Sequence, residues 1–300
     1  MTGGRLPLTV VGGYLGAGKT TLINALLADP AGERIAVLVN DFGDIDIDAR
    51  LMDSDGADVM SLTNGCICCS LADGFAEALD RLRDLAGRID RVVIEVSGVG
   101  DPRKVAQWGH VPGFTLDGVV VLVDAETVRV RSRDRYVGET VLAQLAGADL
   151  VVVTRADLLD DTVTSEVERW LADMVAAPVL RAPVPTAVLF GPDPIGDDTL
   201  AVPEDHASTS HISMSRRFDA PVARSSIDVW TDARPGGVVR AKGIVRVDDR
   251  PDERTVLQVC GATTTVAVDG PWDGGESAVV AIALPGTSRA AIVKWLKLLR

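Results

Sequence analysis

The chain has 300 residues, 47% of them apolar, and carries a formal charge of −13 from 43 acidic and 30 basic side chains. That charge repels phosphate backbones and anionic lipid surfaces, so nucleic acid and membranes are excluded as partners. No apolar run approaches the roughly 18 residues that a membrane-spanning helix needs. Three of the four cysteines crowd into one short segment, which is typical of metal or redox chemistry in a reducing compartment. The composition therefore predicts a cytoplasmic protein.

The first two thirds of the chain alternate between short apolar runs and segments with helical periodicity. The apolar runs are rich in β-branched residues and are predicted to be buried strands at residues 8–11, 35–39, 92–96, 119–123 and 151–154. Strands this continuously apolar belong to a mostly parallel sheet that is covered on both faces. The clearest helix between them is predicted over residues 71–85, with its apolar side chains on one face. The pattern indicates a doubly wound α/β fold.

The pattern changes after residue 182. A proline-rich and polar stretch follows, and we interpret residues 183–219 as a linker between a larger domain at residues 1–182 and a smaller one at residues 220–300. The smaller domain contains four short strand-like runs and a closing helix at residues 288–299. It is predicted to be an α+β C-terminal domain. Cys260 lies inside one of its strand-like runs, where it is expected to pack as a small apolar residue.

A glycine-rich segment follows the first predicted strand and precedes a helix predicted at residues 19–28. It reads Gly-Tyr-Leu-Gly-Ala-Gly-Lys-Thr and fits the P-loop of nucleotide-binding proteins. Glycines let backbone N–H groups surround the β-phosphate, Lys19 reaches the β- and γ-phosphates, and the Thr20 hydroxyl binds Mg²⁺. The alternative is a strand-helix turn with a chance Lys-Thr pair, which this context disfavours. The residues predicted to bind nucleotide are Gly13, Leu15, Gly16, Ala17, Gly18, Lys19, Thr20 and Thr21.

A second nucleotide-binding segment is predicted after the strand at residues 151–154. Thr154, Arg155 and Asp157 occupy the place of the Asn/Thr-Lys-x-Asp segment with which P-loop GTPases read the base. A carboxylate at Asp157 suits guanine, which presents two adjacent donors at N1 and N2, whereas adenine has an acceptor at N1. Arg155 stands where lysine is usual, and its planar guanidinium could lie over the base. The alternative is that Asp157 caps the helix that follows.

The crowded cysteines form a Cys-x-Cys-Cys cluster of Cys66, Cys68 and Cys69 at the start of a predicted helix. The helix dipole favours thiolates, which bind Zn²⁺ or Cu(I), and Co²⁺ less firmly. Two or three thiolates and a carboxylate or imidazole complete a tetrahedral zinc site. Asp41 and Asp44, after the second predicted strand, are the candidate carboxylates, although acidic residues are also common in solvated loops. A redox role for vicinal thiols is the main alternative to metal binding.

These motifs together resemble one family. In chain order GGYLGAGKTT, VNDFGDIDID, TNGCICC, IEVSGVGDP, QLAGAD, TRAD and RAKGI are similar to the landmarks of the CobW GTPases, relatives of the nickel-insertion GTPases of hydrogenase and urease maturation. The resemblance covers nearly the whole chain, including a CobW-type C-terminal domain. It implies a P-loop NTPase sheet, a metal-binding Cys-x-Cys-Cys motif, GTP-coupled transfer of the metal to a client protein, and Glu95 in the Walker-B position near Mg²⁺.

The predicted protein is therefore a GTPase that binds GTP, Mg²⁺ and Zn²⁺, with Co²⁺ as an alternative metal. Lys19, Thr20 and Glu95 are its predicted catalytic residues, and a metal-requiring client protein is its predicted partner. Slow basal hydrolysis is expected, because no water-positioning glutamine or arginine finger is evident. A nucleotide-binding metal sensor or buffer without useful turnover and a P-loop kinase of cofactor synthesis are the alternatives. The sequence leaves the choice between monomer and homo-oligomer open.

Overall fold

The computed structural model describes residues 5–30, 32–40, 59–62, 72–191, 211–261, 263–272 and 274–300. The chain divides into two compact units, one formed by Arg5–Thr186 and the other by Ala187–Arg300. Each unit has its own hydrophobic core. Within the described ranges, no helix combines the length and apolar character needed to cross a membrane.

A seven-stranded sheet forms the centre of the first unit, in the order β3-β2-β4-β1-β5-β6-β7. All neighbouring strands are parallel. The strands are β1 (Leu6–Gly12), β2 (Ile35–Asn40), β3 (Val59–Leu62), β4 (Arg91–Glu95), β5 (Phe114–Asp124), β6 (Leu150–Thr154) and β7 (Val179–Arg181). Each of the five predicted strands is confirmed, with shifts of a few residues at the ends.

Helices connect these parallel strands. They are α1 (Lys19–Ala28), α2 (Ala72–Asp84), α3 (Pro102–Ala106), α4 (Val128–Arg131), α5 (Gly138–Ala146) and α6 (Asp161–Met174), with short 3₁₀ helices at Gln107–His110 and Ala156–Leu158. Helix α2 buries Phe75, Ala78, Leu79 and Leu82 on one face, as its apolar spacing predicts. The predicted doubly wound fold is therefore confirmed.

The second unit is built on an antiparallel five-stranded sheet in the order β11-β10-β9-β12-β8. Its elements are β8 (Ile212–Phe218), α8 (Arg224–Asp232), β9 (Val238–Val247), β10 (Arg250–Cys260), β11 (Thr263–Pro271), β12 (Ser277–Ala283) and α9 (Arg289–Leu296), after α7 (Thr186–Phe190) at the boundary between the units. Trp230 of α8 and Trp295 of α9 stack in its core with ring centroids 4.5 Å apart. Cys260 is buried, as expected of a small apolar residue.

The structure gives regular elements to part of the predicted linker. Both α7 and β8 fall within residues 183–219, and β8 pairs with β12 at the edge of the second sheet. The α+β character predicted for the C-terminal domain is confirmed, and its sheet begins before residue 220.

Candidate functional site

The glycine-rich segment joins β1 to α1 at the edge of the sheet where the strands end. Its backbone has positive φ at Gly13, Gly16 and Gly18, with values of 136°, 77° and 89°. The backbone is also packed closely, since a Cβ on Gly13 would stand 2.4 Å from the carbonyl oxygen of Leu122 in β5. Glycine alone tolerates both conditions, so the segment can turn its N–H groups towards a bound anion. These residues fit a phosphate group at the start of α1.

Lys19 begins α1 and is directed back over this loop. Its Nζ donates a hydrogen bond to the carbonyl oxygen of Gly13 at 3.1 Å and lies 4.0 Å from Oε1 of Glu95. Lys19 is 7% exposed and Glu95, the last residue of β4, is 1% exposed. Thr20 and Thr21 follow in the first turn of the helix. The structure thus brings together the predicted phosphate-binding lysine and the predicted Walker-B carboxylate.

Thr154, at the end of β6, contacts both the P-loop and the neighbouring strand β5. Its Oγ1 lies 2.9 Å from the carbonyl oxygen of Ala17 and 3.1 Å from that of Val123. The residue ends β6, in register with Asp124 at the end of β5. A residue predicted to help read the base therefore also contacts the P-loop backbone directly.

Arg155 has the left-handed φ of 54°, which is uncommon for a residue with a side chain. Its Nη1 lies 2.9 Å from Oδ2 of Asp124, whose other oxygen accepts a hydrogen bond from the N–H of Glu126 at 2.9 Å. Asp124 is 3% exposed, while Arg155 is half-exposed. Asp157 is exposed on the 3₁₀ helix Ala156–Leu158. The segment predicted to read the base is thus attached to the sheet through a buried carboxylate.

Two residues of this edge are not among the predicted site residues. The first is Asp124, which stands out in the sequence only as a carboxylate directly after a continuous apolar strand. The other is the buried Gln144 of α5, whose Nε2 donates to the carbonyl oxygens of Gly98 at 3.1 Å and Gly100 at 2.7 Å. Gln144 therefore holds the loop that follows Glu95. Gln144 belongs to the QLAGAD motif, but the sequence does not reveal a contact between residues so far apart.

The predicted metal ligands Asp41, Asp44, Cys66, Cys68 and Cys69 lie outside the described residues. The strands that lead to them are described: β2 ends at Asn40 and β3 at Leu62, and these two residues pair in register. Both strands run parallel to β1 and β4, so they end at the edge that carries the P-loop and Glu95. Among the ranges that the structure describes, there is no group of three or more His, Cys, Asp or Glu that could hold a metal ion.

Comparison with known proteins gives two family matches. The CobW/HypB/UreG nucleotide-binding domain matches residues 7–181, and the cobalamin synthesis protein cobW C-terminal domain matches residues 212–297. The zinc chaperone CobW of Sinorhizobium sp is 29% identical over 96% of this chain and 96% of its own length. The zinc chaperone YjiA of Escherichia coli is 36% identical over 60% of this chain and 57% of its own.

One further protein, and a crystal structure of YjiA itself, are similar over different shares of the chain. The zinc-regulated GTPase metalloprotein activator 1 of Schizosaccharomyces pombe is 32% identical over 55% of this chain and 43% of its own length. A crystal structure of Zn(II)-bound YjiA GTPase from Escherichia coli aligns over 99% of both chains, with 24% identity and a TM-score of 0.45. This chain therefore spans nearly the full length of the Sinorhizobium relative and about half the length of the other two relatives.

Proposed function

This chain belongs to the CobW/HypB/UreG family of P-loop GTPases, and on that basis we propose that it uses GTP to control the binding of Zn²⁺ and its delivery to a client protein. Two of the relatives are named zinc chaperones. A third, which matches a shorter part of the chain, is named a zinc-regulated GTPase metalloprotein activator. These names support a metallochaperone. We propose that it acts in the cytoplasm, where its clustered thiols stay reduced.

The proposed zinc ligands are the thiolates of Cys66, Cys68 and Cys69, with Asp41 or Asp44 completing the set. Thiolate and carboxylate ligands in a four-coordinate arrangement are typical of Zn²⁺ in proteins. Co²⁺ is the alternative metal for the same ligands, and it is held less firmly by soft sulfur. Vicinal thiolates oxidise readily, so the metal also protects them while it is bound.

The nucleotide would occupy the P-loop, where the glycine conformations and the buried Lys19 support a bound triphosphate. We assign phosphate binding to Lys19, Mg²⁺ binding to the Thr20 hydroxyl, and the Mg²⁺-water contact to Glu95. Asp157 is the proposed guanine reader, with Thr154 and Arg155 positioning its segment. Mg²⁺ would neutralise charge on the β- and γ-phosphates during hydrolysis.

One observation carries the coupling of the two ligands. Asn40 ends β2 and Leu62 ends β3, both at the edge of the sheet where the strands end. Strand β2 lies next to β4, which ends at Glu95, and β3 lies one strand further away. The acidic segment begins directly after Asn40, and the cysteine segment begins directly after Leu62. Both segments that we propose to bind the metal therefore start at the edge that carries the P-loop, and this supports a change in metal affinity with the bound nucleotide.

The test is a measurement of Zn²⁺ affinity in two nucleotide states. We expect the dissociation constants with a non-hydrolysable GTP analogue and with GDP to differ by at least about fivefold, the lower end of typical allosteric coupling. Replacing Cys66, Cys68 and Cys69 together by serine should abolish tight zinc binding, whereas the Cys260→Ala variant is the matched control and should keep it. Equal affinities in the two states would exclude the coupling, because differential affinity is its only source.

A second experiment separates delivery from sensing. A GTP-loaded, zinc-loaded sample should capture a client protein, and contact with that client should accelerate phosphate release above a slow basal rate. A protein that binds both ligands but releases no phosphate on any stimulus would be a sensor or buffer. Phosphorylation of a small metabolite, with no free phosphate, would instead identify a kinase.

A further inference from the structure

An arginine-rich stretch borders the P-loop. Arg129, Arg131, Arg133 and Arg135 alternate along the sequence in a chain whose net charge is −13. Two of these arginines lie on α4 and reach different neighbours. Arg129 pairs with Glu166 of α6 at 3.7 Å, with its guanidinium 5.9 Å from the ring centroid of Trp170. Arg131 instead faces the P-loop.

Arg131 contacts the loop at Leu15 and Tyr14. Its Nη1 donates a hydrogen bond to the carbonyl oxygen of Leu15 at 2.5 Å. Its guanidinium also lies 5.2 Å from the ring centroid of Tyr14, a distance at which a cation is attracted to an aromatic face. Arg131 is therefore held from two directions against the two residues that begin the apex of the loop.

That apex is a β-turn. The N–H of Ala17 donates to the carbonyl oxygen of Tyr14 at 3.0 Å, so Leu15 and Gly16 are the two central residues. The φ of 77° at Gly16 matches the value of about +80° that a type II turn has at this position, whereas a type I turn has about −90°. Types I and II differ by a flip of the central peptide, which is the Leu15–Gly16 peptide.

The direction of this peptide decides what the loop offers to an anion. A peptide is planar and trans, so its C=O and its N–H point in opposite directions. With the Leu15 oxygen bound to Arg131, the Gly16 N–H is directed away from Arg131. A flip to type I would exchange them and aim a carbonyl oxygen where the N–H now points. The charged hydrogen bond also polarises the peptide, which strengthens its N–H as a donor.

We propose that Arg131 is a positioning residue for the nucleotide: it holds the Leu15–Gly16 peptide of the P-loop in the type II orientation, which presents the Gly16 N–H to the phosphates. This role of Arg131 rests on the proposed function of the P-loop as the phosphate site and is independent of zinc. In this arrangement a residue of α4, more than one hundred positions away in sequence, tunes the affinity of the P-loop for nucleotide without touching the nucleotide.

The experiment measures affinity for fluorescent GDP and for a fluorescent non-hydrolysable GTP analogue, with Mg²⁺ and without zinc, on the full chain. We expect Arg131→Ala to weaken binding about tenfold, as is usual when a hydrogen bond from a charged group is lost. Arg131→Lys keeps a charged donor and should recover most of the affinity. Arg129→Ala, on the same helix, is the matched control and should bind nucleotide as the wild type does.

A double-mutant cycle with Gly16→Ala separates positioning from general stability. An alanine at Gly16 disfavours the positive φ and therefore disrupts the same turn. If Arg131 acts through that turn, Arg131→Ala should cost almost nothing further in the Gly16→Ala background. Additive losses in the cycle, or wild-type affinity in Arg131→Ala, would overturn the proposal. Either result leaves zinc coupling untouched, because a failure of that function appears only in the zinc titration.

Discussion

The two edges of the seven-stranded sheet bury charges in opposite ways. At the edge where the strands begin, Arg91 is 1% exposed and lies between two carboxylates, with Nη1 2.6 Å from Oδ2 of Asp117 and Nε 2.5 Å from Oε2 of Glu33. Thr9 donates a further hydrogen bond to Asp117 at 3.1 Å. Burial opposes the charge, but the neighbouring carboxylates raise the pKa of Arg91, so the guanidinium stays charged. This network serves stability.

The edge where the strands end is arranged more loosely. Lys19 stands 4.0 Å from Glu95, and half-exposed Arg155 contacts buried Asp124. Gly13, Gly16 and Gly18 have positive φ, and the Lys19 ammonium donates a hydrogen bond to the Gly13 carbonyl oxygen, so this edge contains backbone and charge that fit a phosphate group. The same sheet therefore carries tightly paired buried charges at one edge and more widely spaced or more exposed charged pairs beside the P-loop at the other. Substitutions at the two edges should therefore affect different measurements.

The largest effect is expected for Lys19→Ala. Removing the ammonium group that we propose binds the phosphates should lower the rate of GTP hydrolysis by about a thousandfold, in the upper range for loss of one preorganised electrostatic contact. Single-turnover phosphate release measures this rate. Arg91→Met is the control at the opposite edge, and its folded fraction should hydrolyse GTP at the wild-type rate. A comparable loss in both variants would contradict the separation of the two edges.

Arg91→Met should have the next largest effect, on stability. Removing the cation leaves Asp117 buried without its charge partner, which typically costs about 3–5 kcal/mol of unfolding free energy. Urea denaturation measures the change. Adding Asp117→Asn to Arg91→Met should restore part of the loss, because the uncompensated charge disappears. Arg88→Met, at an exposed arginine nearby, should stay close to wild type. Equal stability of Arg91→Met and Arg88→Met would show that the network is unimportant.

A smaller effect is expected for Asp124→Asn, which weakens the attachment of Arg155. Since Arg155 is half-exposed, its ion pair contributes little, and we expect the dissociation constant for GDP to rise about threefold. Glu126→Gln alters a neighbouring carboxylate and should leave the constant unchanged. Unaltered GDP affinity in Asp124→Asn would mean that Arg155 needs no anchor to support base binding.

The sequence predicts much of the edge where the strands end, because the motifs that form this edge are local in the sequence. The P-loop is contiguous, and the apolar β-branched strands that flank it are recognisable individually. Arg91, Asp117, Glu33 and Thr9 come from four separate segments, so the network appears in the sequence only as isolated polar residues. The sequence does not reveal the contacts of Arg131 and Gln144 for the same reason, because each donates to a backbone carbonyl far away along the chain.

In the second unit, the sheet begins inside the range predicted as linker. Strand β8 alternates Ile212, Met214 and other residues against its partner β12, but it follows a proline-rich stretch. The proline-rich composition is the stronger signal in this region, so the range predicted as linker extends over the strand. Period-two alternation in a short edge strand is a weak signal beside several prolines.

The smallest effect, on the free energy of unfolding, is expected for Arg34→Gln. Arg34 is exposed at the edge of the sheet where the strands begin. Arg34 donates to both oxygens of Asp90, at 2.8 Å and 2.7 Å, and these hydrogen bonds lower the pKa of Asp90. A lowered pKa contributes stability above the pKa of the unfolded state, about 3.9, and that contribution is lost as the pH falls through the folded-state value. The difference in unfolding free energy between wild type and Arg34→Gln should therefore be small at neutral pH and vanish in acid.

Urea denaturation across this pH range checks the sign, with Arg88→Gln as the exposed control. A difference that persisted in strong acid would come from packing of the arginine stem and not from the ion pair. Because this pair is solvated, its loss should leave both the Arg91 network and GTP hydrolysis unchanged. Depth of burial, more than the number of charges, would then decide how much each ion pair of this edge contributes.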